Sequence, residues 1–357
     1  MNKQLNPRKA SLLKALIAGV ICTFGVLPAA RATLPGHNIS AGNITVIQND
    51  SGNTTNSVTT SLSLSINDLR LRGDGGDGTS PTNSRGDFCV QIGPEPASNF
   101  TNGILMCSVT ENGRDNGEGT GTNYCVSMIE NQRTNANDPT AIAGAYWINV
   151  NKAENIGAGN STEYNINVAA AWLPYTRFIG GFARNHGPND ELGQTAGGFT
   201  NGGAMNQLIS SPGLVLGANF IDLGSGKSHV VLTNFGIDSR VDGILLVSGA
   251  KNESANFGLS QANTTNGGWN LFIKDDGQAT LANFEQDPIA FVFIPKTNTT
   301  LISGRFVGDA SIEMYSGATP QFTVTSNSVG TYELKVLGYA ATNGVLIISA
   351  EGGRTVN

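Results

Sequence analysis

The sequence predicts an all-β protein: tandem antiparallel β-sandwich-like repeat units, the last one incomplete, behind a cleaved signal peptide. Three observations predict it. First, a pattern of apolar strand, polar connector, Asn-Gly or Asp-Gly pair and second apolar strand recurs along the chain. It reads FCVQIGPEPASNFTNGILMCSV from Phe88, HVVLTNFGIDSRVDGILLVSG from His229 and, in shortened form, YELKVLGYAATNGVLIISA from Tyr332. Repetition of this kind marks a modular architecture. Second, short stretches alternate apolar and polar residues, as at Leu62, Leu64 and Ile66 and again at Ile166, Val168 and Ala170. That is the period of a half-buried strand. Third, no run of a dozen residues carries a helical period, and Asn102-Gly103, Asp242-Gly243, Asp276-Gly277 and Asn343-Gly344 supply turn chemistry between the strands.

Residues 1–32 read as a secretory signal peptide. Lys3, Arg8, Lys9 and Lys14 make a basic start, an apolar core runs from Ala15 to Leu27, and Ala30-Arg31-Ala32 offers the small residues that signal peptidase accepts. The mature chain is expected to begin at Thr33. The apolar run is short for a membrane span, and no later segment is long enough, so no membrane span is expected in the mature chain. Residues 33–56 form an N-terminal extended segment. The first repeat unit covers 57–205, with insertions near 112–122 and 186–205, and the second covers 211–317. A partial third unit, a hairpin, covers 319–357.

The units match beyond the opening pattern. YNINVAAAWLPYTRFIGGFARN from Tyr164 resembles DPIAFVFIPKTNTTLISGRFVG from Asp287: an apolar strand ending at Pro174 or Pro295, a turn, and a strand containing Gly, Phe and Arg. The denser runs AFVFIP and GVLIIS are expected to be buried on both faces. A lone hairpin leaves unpaired edges, so the third unit is expected to pack on the second, to pair with residues 39–56, or to be completed elsewhere.

Residues 1–32 hold five of the 21 basic residues and none of the 27 acidic ones, so the remainder carries 16 against 27, net −11. An acidic chain without a basic cluster argues against nucleic acid as a partner, since phosphate neutralisation needs Lys or Arg. With 46 glycines, many Asn, Thr and Ser, and 39% hydrophobic residues, the chain has a polar, weakly charged surface and enough apolar mass for a core.

Cys89, Cys107 and Cys125 fall in the first unit. Cys89 and Cys107 lie on the two strands of the recurring pattern, which makes them expected neighbours and disulfide candidates in an oxidising compartment. The second unit has Val231 and Leu246 or Val247 in comparable places, so these are packing positions first. Scattered His37, His186 and His229, with no CxxC pair, argue against a transition-metal site.

Catalytic templates each lack a required residue. GSGKS at 224–228 resembles the end of a phosphate-binding loop, but the first glycine of that motif falls at Ile221, and a Gly-Ser hairpin turn explains it. There is no GxSxG and no HExxH. Asp190-Glu191 and Asp275-Asp276 read as solvated turns. GDGGDG at 73–78 places Asp74 and Asp77 where backbone carbonyls could join them around calcium, although a single copy lacks the stacking of calcium-binding repeats. Tyr175, just beyond Pro174, and Trp172 are the candidate glycan platforms, with Tyr175 expected at the surface. Trp147 and Trp269 sit at matched positions inside apolar strands and read as core.

The expected function is therefore that of a secreted or cell-surface, non-enzymatic β-repeat protein with a structural or adhesive role, acting through self-association or a surface partner and needing no cofactor. The alternatives are a carbohydrate-binding β-sandwich module, with calcium assisting, and an all-β polysaccharide-degrading enzyme.

Overall fold

The computed structural model of the protein describes residues 18–23, 39–48, 54–57, 66–71, 87–92, 99–110, 124–131, 145–152, 165–184, 204–249, 256–263, 265–275, 286, 288–328 and 331–351. These residues form an all-β fold of several antiparallel sheets, with an α-helical turn at Asn99–Asn102 and 3-10 turns at Thr233–Phe235 and Ala341–Asn343. None of their helices is long and apolar enough to cross a membrane.

A first four-stranded sheet combines β2 (Ser40–Gln48), β3 (Thr54–Ser57), β6 (Gly103–Val109) and β9 (Asn165–Pro174) in the order β3-β2-β9-β6. Its companion combines β4 (Ile66–Leu71), β5 (Asp87–Ile92), β7 (Tyr124–Asn131) and β8 (Ala145–Lys152) in the order β4-β5-β8-β7. The chain then repeats the plan. Strands β10 (Ile179–Arg184), β11 (Gln207–Ser210), β14 (Gly243–Gly249) and β17 (Ile289–Pro295) form β11-β10-β17-β14. Strands β12 (Phe220–Gly224), β13 (Lys227–Val230), β15 (Asn256–Ala262) and β16 (Trp269–Asp275) form the companion order β12-β13-β16-β15.

The third set is shorter. Strands β18 (Ile302–Phe306), β19 (Ile312–Tyr315) and β22 (Leu346–Glu351) flank β1 (Ala18–Thr23) in the order β19-β18-β1-β22, and β20 (Phe322–Ser328) with β21 (Thr331–Val336) makes a separate hairpin. Strand β1 therefore holds the place that β9 and β17 hold in the other two sheets. Parallel pairing of β22 with β15, at Leu259↔Ala350 and Ser260↔Glu351, merges this third sheet with the second companion into one eight-stranded sheet.

Sheet membership shifts from one set to the next soon after each strand-ending proline. Strand β9 closes the first sheet at Pro174, and β10 opens the second, pairing with β17. Likewise β17 ends at Pro295, and β18 opens the third. Residues 39–48, expected as a bare extended segment, are built into the first sheet through β2, which pairs with β9 over Ser40–Ile47. Ala18–Thr23, inside the expected leader, forms β1.

Asn102-Gly103, Asp242-Gly243 and Asn343-Gly344 do not make the expected hairpin turns, and Asp276-Gly277 lies outside the described residues. The strands before and after them, β5 and β6 or β13 and β14, lie in different sheets, so the intervening connector crosses between layers. Gly103 and Gly243 are absent from the positive-φ positions, and Gly344 is extended at φ −163°. What the first two need is space. Gly103 pairs with Pro174 and Gly243 with Pro295. A Cβ on Gly103 would lie 2.6 Å from the Trp172 ring, and one on Gly243 only 2.3 Å from the Ile294 carbonyl oxygen. The same bond closes both corners: the N–H after each proline donates to the carbonyl before each glycine, Tyr175 to Asn102 at 2.8 Å and Lys296 to Asp242 at 2.9 Å.

Burial explains why the middle strands are apolar on both faces. Ile289, Phe291 and Phe293 of β17 enter a core shared with Leu245, Val247, Phe220, Val230 and Trp269, between the second sheet and its companion. Ala290, Val292 and Ile294 face the other way, into a core shared with Ile244, Leu246, Ile347 and the β9 residues Val168 to Leu173. Phe220 stacks on Phe291 at 5.8 Å, and Trp269 tilts against Phe293 at 5.5 Å. Trp269 is buried, as its sequence position implies; the side chain of Trp147 lies outside the described residues. IAFVFIP is buried on both faces as expected, but GVLIIS is not. Ile347 is 1% exposed and Ile348 50%, because among the described residues only the β20–β21 hairpin accompanies the third sheet.

Two serines at matching places tie the sheets together. Ser349 Oγ donates to the Val247 carbonyl at 3.0 Å and accepts from the Val247 N–H at 3.0 Å. Ser108 Oγ, five residues after Gly103 as Ser349 is after Gly344, accepts from the Ile348 N–H at 2.8 Å.

Candidate functional site

One opening follows from the short third set. A cleft of about 700 Å³ lies between β21, β22 and the first sheet, lined among others by Asn43, Ser108, Glu333, Lys335, Tyr339 and Ile348. Strand β21 alternates exposed and half-exposed residues, so it offers Glu333 and Lys335 at its wall. The lining mixes one carboxylate, one ammonium, a phenol, amides and aliphatic groups. It contains no histidine or cysteine and a single acidic side chain, so the two-carboxylate geometry of glycoside hydrolysis is not met there.

The predicted aromatic platform is not at the surface. Trp172 is 5% exposed and Tyr175 7%, which corrects the expected exposure of Tyr175. Trp172 Nε1 donates to Tyr146 Oη at 3.0 Å, and Tyr146 Oη donates to the Gly103 carbonyl at 3.2 Å. Tyr175 Oη reaches the Ile209 carbonyl at 3.4 Å. Tyr175 follows a strand-ending proline, which suggested a turn at the surface. The chain instead passes into a neighbouring sheet, and the ring is buried in the central core with Ile209 of β11 against it. Neither ring presents a face on which a sugar could stack.

Cys107 is a free thiol and buried. Its strand, β6, pairs with β9, whereas Cys89 lies on β5 in the companion sheet, so the expected strand pairing that favoured a Cys89–Cys107 bridge is replaced by a sheet crossing. Burial pushes the Cys107 thiol well above its ordinary pKa. Asp74 and Asp77 lie outside the described residues. Among the described residues no three His, Cys, Asp or Glu side chains gather as a metal site would require.

The remaining polar clusters brace turns. GSGKS is a hairpin turn between β12 and β13: Ser225 and Gly226, at φ 53° and 67°, are its two central residues, as a type I′ turn demands. Gln286 accepts from the Gly226 N–H and donates to Asp222, and Asp222 accepts from the Met205 N–H. His229 accepts at Nε2 from the Asn266 amide at 2.7 Å, which leaves Nδ1–H to donate to Asn270 Oδ1 at 2.9 Å. Both ring nitrogens are thus committed to holding a loop, and His229 has no nucleophile to serve.

The feature missed in the sequence is a buried charge pair. Arg305 on β18 and Glu351 on β22 are 2% and 5% exposed, and Arg305 Nη1 donates to Glu351 Oε1 at 3.1 Å. Strand β1 lies between their two strands, so the pair reaches across its position. Arg305 Nε also lies 3.1 Å from Glu313 Oε2, and Glu351 Oε1 accepts from the Ala262 N–H of β15 at 3.3 Å. Arg305 stands ten residues after Pro295 as Arg184 does after Pro174, but nothing in the spacing signalled that its partner would come from β22. Comparison with protein-family models, with curated proteins and with solved structures returns no match.

Proposed function

We propose that this is an exported, non-enzymatic protein of tandem β-sandwich-like modules, the third incomplete, with a structural or adhesive role, working by association with copies of itself or with a surface partner. One observation carries the reading: a single strand order recurs in the three sheets while each module contributes strands to the next. Such a chain is a scaffold of interlocked units, and repeated units offer repeated surfaces whose weak contacts multiply. The basic, apolar, small-residue leader supports export. The acidic, Asn- and Gly-rich remainder supports a solvated extracellular surface.

The test is the mass of the exported protein in solution by light scattering, with and without calcium, followed by negative-stain imaging. Rings, filaments or defined oligomers are expected. A monomer whose tryptophan fluorescence shifts on adding glycans would replace this reading with a carbohydrate-binding one. Burial of Trp172 and Trp269 predicts that, in a variant with Trp147→Phe, the emission is blue-shifted and indifferent to glycans.

A further inference from the structure

The third sheet contains a strand position that export empties. Strand β1 lies antiparallel to both neighbours, with Gly19–Thr23 against Phe306–Ile302 of β18 and Ala18–Thr23 against Glu351–Leu346 of β22. The two neighbours are consequently parallel to each other and two strand spacings apart, about 9–10 Å. Removal of residues 1–32 takes β1 away and leaves two facing rows of unpaired backbone donors and acceptors, which is costly and sticky.

Both walls of the slot are anchored without β1. On one side Ser349 is bonded twice to Val247, and the Ile348 N–H donates to Ser108. On the other, β18 is paired with β19, and the Ser303 N–H donates to Ser316 Oγ. The Arg305–Glu351 pair ties wall to wall. The slot is therefore built to stand open rather than to collapse.

We propose that in the exported chain this slot accepts an extended apolar strand from a second copy, joining copies by strand addition; the inference rests on the leader being removed. A second copy is the occupant because the fold already makes its internal junctions this way. The strand in this position, β9 or β17, runs on past a proline into a strand pair of the next module, β10–β11 or β18–β19. A junction between copies continues that pattern. The half-exposed Ile348 on β22, one wall of the slot, is apolar surface that such a junction covers. Donor and acceptor are different surfaces, so the contact is heterologous and makes rings or filaments.

The test expresses the full chain with its leader in an exporting bacterial host. Mass spectrometry gives the N-terminus of the purified product, and light scattering gives its size. A synthetic peptide with the Lys14–Thr23 sequence is then added, alongside the same peptide carrying Val20→Pro. A further variant carries residues 16–23 on a flexible linker after Asn357. The expected result is a product beginning at Thr33 that forms oligomers. The peptide reduces these to monomer, its proline version does not, and the self-complemented variant is monomeric. The peptide arm stands even if that variant does not fold. A product beginning at Thr33 that is monomeric and ignores the peptide overturns the proposal and leaves export intact. Oligomers that neither peptide nor fusion disturbs place the joint elsewhere and overturn it too. A product that retains residues 18–23 overturns both this inference and the export reading.

Discussion

At single residues, absence of a side chain matters as much as presence. Gly243 faces the Ile294 carbonyl so closely that Gly243→Ala must push β14 from β17. Overpacking of this kind costs about 1–3 kcal/mol, measurable by urea unfolding, whereas an alanine at exposed Thr233 should leave the midpoint within error. Cys107 makes an opposite test. Its thiol is raised from an ordinary value of 9.0 by burial alone, so Cys107, followed by peptide mapping, should not be labelled by a thiol reagent at pH 8 until denaturant is added. The sign for stability follows: below pH 9 the thiol is protonated in both states and contributes no pH dependence. Above that the unfolded chain loses the proton while the folded chain keeps it, so stability falls as pH rises. A Cys107→Ser variant should flatten that alkaline decline.

Single strands show how a missing neighbour changes a residue's worth. On β22, Ile347 points into the central core and Ile348 into the cleft. Ile347→Ala should cost about 2–5 kcal/mol by cavity formation; Ile348→Lys should stay within about 0.5 kcal/mol, both read from denaturation midpoints. The sequence pattern GVLIIS could not distinguish them, because its counterpart GILLVSG is buried throughout and only the neighbours differ. Strand existence and the matched prolines were legible from periodicity and repetition. Strand pairing was not. Asn-Gly before an apolar run signals a hairpin when the partners are adjacent, but here glycine is required by close approach across a sheet, and the connector changes layer. Tyr175 was misplaced for the same reason: burial against a strand from the next sheet leaves no local trace. The Arg305–Glu351 pair, two strands apart, leaves none either.

Over the whole molecule, exchanged strands couple the modules. Since β10 and β11 belong to the second sheet but follow directly on the last strand of the first, neither sheet can unfold without releasing part of the other. Calorimetry should therefore give one dominant cooperative transition, and a chain cut between residues 178 and 179 should not regain it when the halves are tested singly. Two separate transitions at the melting of each set would mean that the exchanged strands contribute little.

A chain that leaves the ribosome or crosses a membrane N-terminus first meets a schedule written into this arrangement. The first sheet is complete once Pro174 has emerged. Strands β10 and β11 then follow with no sheet to join, and they wait for β14 and for β17, which ends only at Pro295. The β10–β11 pair thus keeps an open edge until β17 has been made. β10 carries two glycines, Gly180 and Gly181, and β11 is only four residues long. Brevity and weak intrinsic pairing suit strands that must spend that interval in water without seizing the wrong partner.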